Sequence, residues 1–233
     1  MKKESSLNIQ KQGNLLREFI FGLNDGLVTT LSLLAGLTGA LVSNNIIILG
    51  GLAEIIAGSI SMGLGAYIST KSEEDYYRYE IEKEKKSIED LPSIEIKEIK
   101  EIYRKKGFNK KEIDVIVNRI IKHKATWLDI LIHEKIGVGE DFEDPKKMGL
   151  VNGFSFVFGG FFPVLPFFFF QIKYPLLIGT LFAFFVLFII GIIKSRSTGR
   201  NWLASSSELV VVCLIAALLS YYAGKLITLF SGV

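Results

Sequence analysis

Five stretches of this chain are apolar over lengths that can cross a bilayer, at roughly 19 to 43, 46 to 70, 148 to 170, 174 to 193 and 206 to 230. A helix of about 20 apolar residues spans the hydrocarbon core, so the chain is constrained to an all-α membrane protein with five transmembrane helices. The charges divide the sequence the same way. Of 27 basic and 24 acidic residues, 18 and 19 fall between Lys71 and Lys147, leaving 9 and 5 for everything else. The middle third is therefore built for water and the remainder for lipid. Three regions follow: residues 1–70, a cytoplasmic N-terminus and the first two spans; 71–147, a cytoplasmic helical domain inserted between helices 2 and 3; and 148–233, the last three spans.

Near-balance of charge in the middle segment argues against a nucleic-acid surface, which would be clearly basic. The single cysteine, Cys213, excludes an intramolecular disulfide or a thiolate metal cluster and reads as a small buried apolar residue. The first apolar stretch follows a long polar leader and lacks a small-residue cleavage site, so the first helix is expected to be retained. Lys2, Lys3, Lys11 and Arg17 precede the first span, the Lys-rich segment follows the second, and Lys194, Arg196 and Arg200 lie between the fourth and fifth. By the positive-inside rule the N-terminus is cytoplasmic and the C-terminus lies on the opposite side. Lys225 is an exception that can snorkel. The Ile- and Lys-rich composition points to a prokaryote, and so to its plasma membrane.

The segment between the second and third spans is too long for a turn and should be folded. Its first part, SEEDYYRYEIEKEKKSIED, can continue the second membrane helix; Leu91-Pro92 breaks it. A second helix then starts near Pro92 and stops at Gly107, with Ile96, Ile99, Ile102 and Tyr103 as its apolar stripe. A third is predicted from about Lys110 to Lys135, with Ile113, Ile116, Val117, Ile120 and Ile121 continued by Trp127, Leu128 and Leu131. A three-helix bundle of this size has a thin core, which burial against a second copy would supplement.

Asp25 and Glu54 are the only charges between Phe19 and Thr70. A carboxylate at mid-bilayer depth costs roughly 2.5–3.5 kcal/mol, so such residues face a polar pathway, a partner or a bound cation. Asp25, flanked by Asn24 and Gly26, can alternatively cap a helix break. Small residues around Glu54 alternatively serve tight helix packing. Met62 lies about two turns from Glu54 on the same side, and a carboxylate with a thioether suits a borderline transition metal. In the middle segment Glu80 and Glu84 are four apart, Glu95, Glu98 and Glu101 are three apart, and Glu134 ends the third helix. Such sets can bind divalent cations through oxygen or form a salt-bridged solvated face. Pro163 and Pro166 should kink the third span, Glu208 belongs at the interface, and His123 and His133 read as surface residues. Only two histidines are present, too few for a carboxylate-bridged oxidase.

FGLNDGLVTTLSLLAGLTGA, then GLAEIIAGSISMGLGAYIS, a Glu-rich insertion and GGFFPVLPF closely resemble the vacuolar iron transporter family, over about Phe19 to Gly224. The resemblance implies a non-enzymatic five-helix homodimer that moves Fe²⁺, and in some members Mn²⁺, out of the cytosol in exchange for protons. No permanently bound cofactor is implied; the metal is cargo. It implies a membrane pathway of Asp25, Glu54 and Met62 and a cytoplasmic metal site of Glu84, Glu95, Glu98 and Glu134, with Glu80 assisting. Ala66 and Ser87 stand where the family has glutamates, and Ile130 and Leu131 where some eukaryotic members carry paired methionines. An oxygen-rich site without those methionines should discriminate less among Fe²⁺, Mn²⁺ and Zn²⁺. The remaining alternative is a metal sensor or scaffold that uses the charged bundle to bind another protein.

Overall fold

The computed structural model describes residues 2–137, 142–169, 173–199 and 201–231. Every regular element among them is helical: α1 Lys2–Gly39, α2 Asn44–Asp90, α3 Pro92–Lys105, α4 Lys110–Ile120, α5 Lys124–Leu131, α6 Pro145–Val164, α7 Pro175–Thr198 and α8 Trp202–Ser231. A π-helical turn, Ile132–Ile136, extends α5, and a 3₁₀ turn, Leu165–Phe168, follows α6. Five of the helices, α1, α2, α6, α7 and α8, are long and apolar enough to cross a membrane. The chain divides into two compact units, one of Asn8–Ile68 with Pro145–Val233 and the other of Ser69–Asp144 with Met1–Leu7.

In the apolar unit, α1 is the central helix. Leu23, Leu27, Leu31 and Ala35 pack against Ala183, Leu187 and Ile190 of α7 and Cys213 and Ala217 of α8. Leu34, on another side of α1, joins Ile47 and Ile55 of α2 with Val164 and Phe167. Buried residues make up 44% of the apolar stretch of α1 and 50% of that of α6, against 17% for α2, so the α1–α6 contact lies deepest in the unit. Backbone-to-backbone approach makes that contact possible. A β-carbon on Gly26 would strike the Phe156 carbonyl oxygen and stand 3.0 Å from the Gly160 nitrogen; one on Gly159 would strike the Leu23 carbonyl. Only hydrogen fits there, and small residues give membrane helices their packing enthalpy where lipid removes the hydrophobic drive.

The predicted kink in the third span takes a defined form. Pro163 lies inside α6, and the helix gives up its α geometry one residue later for the 3₁₀ turn that contains Pro166. Cys213 is fully buried in the α1–α7–α8 core. Glu208 stands 3.8 Å from Lys194.

In the polar unit, α2 ends at Asp90 and α3 starts at Pro92 in the first helical turn, where a missing N–H costs nothing. Ile88 of α2, Ile99 of α3, Ile113, Val117 and Ile120 of α4, and Trp127 and Leu131 of α5 form one core. Asn109 and Glu112 close a reciprocal capping box at the start of α4. The single helix predicted from Lys110 to Lys135 is not continuous. It stops at Ile120, turns through residues 121–123, resumes as α5 and then widens into the π turn, which Gly137 closes at φ +79°. The turn re-aims the chain so that Trp127 and Leu131 enter the same core as Val117.

Gly26→Ala should destabilise the apolar unit by about 1–3 kcal/mol, because the added methyl has no room. Gly13→Ala, where a β-carbon meets nothing within 4 Å, should be neutral or slightly stabilising. Thermal unfolding of both variants in detergent checks this pair.

Candidate metal pathway and acidic cluster

Asp25 lies in the middle of α1, and its carbonyl accepts the Thr29 hydroxyl at 2.8 Å. The helix runs through it unbroken, so Asp25 does not cap a break. Its carboxyl and that of Glu54 on α2 are both half-buried. Next to Asp25, the Asn24 side-chain oxygen is buried and accepts no hydrogen bond, and neither does the fully buried Thr30 hydroxyl. Met62 is half-buried on α2, two turns from Glu54, and Gly58 between them lies against the Phe156 ring.

Two further polar residues enter this unit without having been singled out from the sequence. Asn152 of α6 is 1% exposed and donates to Glu18 of α1 at 2.8 Å. Glu18 sits one residue outside the uncharged window that drew attention to Asp25, and Arg17 beside it at 3.2 Å gave it an ordinary surface partner. The amide of Asn152, alone in an apolar run, was the available signal.

The polar unit gathers three of the five predicted metal ligands. Glu84 of α2 and Glu95 of α3 are 5% and 2% exposed, and Glu98 lies one turn further along α3. All three face one ammonium. Lys135, from the π turn, places Nζ 2.8 Å from Glu84 Oε1, 2.5 Å from Glu98 Oε2 and 3.6 Å from Glu95 Oε2. Ser87 donates its hydroxyl to Glu95 Oε1 at 2.5 Å. Glu84 Oε2 and Glu95 Oε2 are buried and accept no hydrogen bond. Glu134 is not part of this group, since it pairs with Lys106. Glu80 is not either, pairing along its own helix with Lys83 at 3.2 Å. Leu131, at one of the two positions where methionines were expected in some relatives, is fully buried in the bundle core, and Ile130 packs against that core. His123 precedes α5 in extended conformation, and His133 lies 3.2 Å from Asp129.

Burial raises the pKa of Glu84, and the Lys135 hydrogen bond offsets this only in part. For Lys135 the balance is reversed. Desolvation lowers its pKa, but the hydrogen bonds it donates to Glu84 and Glu98 outweigh that and hold the ammonium above the usual lysine range. No three His, Cys, Asp or Glu side chains among the described residues converge in a metal-ligating arrangement, and the cation among the carboxylates is the lysine.

Five long apolar helices, two of them with an acidic side chain inside the apolar span, define a multi-pass integral membrane protein. Comparison with known proteins narrows that class. A model of the VIT family matches residues 16–225. The chain is 34% identical to vacuolar iron transporter 1 of Arabidopsis thaliana over 220 residues, spanning 92% of this chain and 87% of that protein. It is 33% identical to vacuolar iron transporter 1 of Tulipa gesneriana over 91% of this chain and 87% of that protein. It is 30% identical to protein CCC1 of Saccharomyces cerevisiae over 91% of this chain and 69% of that protein. The chain belongs to the VIT family of vacuolar iron transporters, whose named members are transporters and not enzymes.

Lys135→Met leaves three carboxylates facing one another, two of them buried, and should destabilise the polar unit by about 1–3 kcal/mol at neutral pH, discounted for the partial exposure of the lysine. The pKa of Glu84, already raised by burial, rises further once its hydrogen bond to Lys135 is gone. The loss is therefore full above that raised pKa and shrinks as pH falls through it and the carboxyl takes up a proton. Hydrogen exchange of the α3 and α5 amides in the full-length protein, compared at neutral and acidic pH, measures both the loss and its recovery.

Proposed function

We propose that this chain transports divalent transition-metal ions across a membrane, Fe²⁺ first and Mn²⁺ as well, out of the cytosol in exchange for protons. The observation that carries the reading is the pair Asp25 and Glu54, two half-buried carboxylates that are the only charges within the first two apolar spans. The cost of a carboxylate in a medium of low dielectric is relieved when a cation lies beside it or a proton neutralises it. Competition between metal and proton for the same oxygens is exchange, because metal binding requires the deprotonated ligand. Met62 adds a thioether on the same helix, a softer donor that favours a borderline ion over Na⁺ or Ca²⁺. The names of the iron-transporter relatives support the same cargo.

In this reading the unit of Ser69–Asp144 is cytoplasmic and captures the ion through Glu84, Glu95 and Glu98. Glu80 and Glu134 take no part in the arrangement seen, each being paired with a lysine elsewhere. A homodimer is favoured by the uncovered face of α2. Ala53, Ala57, Ser61 and Gly65 recur every four residues there, exposed beside Ile56, Ile60 and Leu64, a small-residue surface suited to a second helix. Two copies of α2 meeting there would bring two sets of Glu54 and Met62 toward a common axis. The membrane is assigned by composition to the plasma membrane of a prokaryote with the N-terminus inside, whereas the plant relatives carry vacuolar names.

Purified protein in liposomes, followed for Mn²⁺ or Fe²⁺ uptake under an imposed pH gradient, tests the pathway. Asp25→Asn and Glu54→Gln should each slow uptake by at least about tenfold, since each removes an ion-compensating charge from the spans. Met62→Leu should keep transport and change the Fe²⁺ to Mn²⁺ preference. Undiminished uptake in both carboxylate variants would sink the pathway, and gradient-independent uptake by the unaltered protein would sink the proton exchange.

A further inference from the structure

We propose that Lys135 is a tethered competitor for the divalent cation, its ammonium holding the place among Glu84, Glu95 and Glu98 that an incoming metal must take by displacing it. This rests on the reading of those carboxylates as the capture site. Geometry makes the two occupants mutually exclusive. Nζ lies 2.5–3.6 Å from an oxygen of each of the three carboxylates, and a transition-metal ion bound to the same oxygens needs its ligands near 2.0–2.2 Å, leaving no room for the amine.

The lysine also fits the cluster incompletely. Three carboxylates and one ammonium leave a net charge of about −2 in a partly desolvated place, which a divalent ion neutralises better than a monovalent one. Two buried oxygens accept no hydrogen bond, Glu84 Oε2 and Glu95 Oε2, both on side chains more than nine-tenths buried, and Lys135 reaches Glu95 Oε2 only as a 3.6 Å ion pair. A buried oxygen left in that condition costs free energy that a closer, more highly charged cation recovers. Lys135 meanwhile has a way out. Its side chain is 34% exposed, it stands on a π turn rather than a regular helix, and the chain is turned away two residues later by Gly137. A four-carbon stem lets the ammonium swing to solvent without moving α3 or α2.

The consequence is a capture site whose affinity is set low by its own chain. A tethered ammonium acts at a high effective concentration and rebinds as soon as the metal leaves. Release is thereby assisted, which suits carboxylates that hold a cargo only briefly. Ser87 has a part in this, because its hydroxyl fixes Glu95 Oε1 and leaves Oε2 to face the exchanging cation.

Amine acetylation of the unaltered full-length protein in detergent, read by peptide mass spectrometry with and without Mn²⁺, tests the displacement directly. Lys135 should become several-fold more reactive when Mn²⁺ is added, while Lys124, exposed and paired with Glu89, should not change. In parallel, Mn²⁺ binding by electron paramagnetic resonance should be about tenfold tighter in Lys135→Met at the component that Glu95→Gln removes. If Mn²⁺ binds that component while Lys135 reactivity and the affinity of Lys135→Met are both unchanged, the competitor is overturned and the capture site stands. If neither the unaltered protein nor Lys135→Met has a component sensitive to Glu95→Gln, the capture site and the competitor fall together.

Discussion

A carboxylate taken out of water requires a cation, and this chain meets that requirement differently in its two units. Glu84, Glu95 and Glu98 receive theirs from the chain itself, as the Lys135 ammonium. Asp25 and Glu54 have no such provision in their own apolar spans, since no lysine or arginine occurs between Phe19 and Thr70. Their compensation on the proposed pathway comes from outside, as a proton or a metal ion, and is therefore exchangeable. An internal lysine at that depth would satisfy the carboxylates permanently and remove the drive for a passing ion to bind.

The fold supports this by keeping the acidic residue on one of its two most enclosed helices. Asp25 belongs to α1, which supplies residues to both cores of the apolar unit, and its neighbour Gly26 allows α6 to approach to backbone contact. An aspartate at a frayed helix end would spend its oxygens on free N–H groups. In an uninterrupted helix those groups are already bonded, and the Thr29 hydroxyl goes to the Asp25 carbonyl rather than its carboxylate. The carboxylate oxygens remain available to a ligand.

Much of this was legible in the sequence because hydropathy and punctuation are local signals. The apolar runs locate all five long helices, and Leu91-Pro92 marks the end of α2. The acidic cluster was half legible. Spacing put Glu84, Glu95 and Glu98 on usable faces, whereas Glu134 joined them only through the family resemblance, and the single helical phase predicted from Lys110 to Lys135 gave no sign of Lys135. Two interruptions change that phase, the turn at residues 121–123 and the π turn from Ile132, and neither carries a proline or a glycine before Gly137. Ser87 read as a lost ligand because its role lies in a hydrogen bond to another helix, eight residues away in sequence. The Glu18–Asn152 bond joins α1 to α6 across 134 residues, a separation over which no periodicity speaks.

These corrections bear on metal choice. With Leu131 committed to the bundle core and Ile130 packed against it, neither of the positions at which the family resemblance implied methionine offers a soft donor here, and Lys135 stands where Glu134 had been expected. The proposed capture site is then made of carboxylate oxygens alone, which rank divalent ions by charge and size and separate Fe²⁺ from Mn²⁺ poorly. A tethered ammonium discriminates by charge, excluding monovalent ions that cannot outbid it, and does nothing to distinguish one divalent ion from another. Of the three methionines in the sequence, Met62 is the one that shares an apolar span with a carboxylate, eight residues from Glu54. On the proposed route, selection among transition metals therefore falls to the membrane spans, and selection for divalent charge to the acidic cluster.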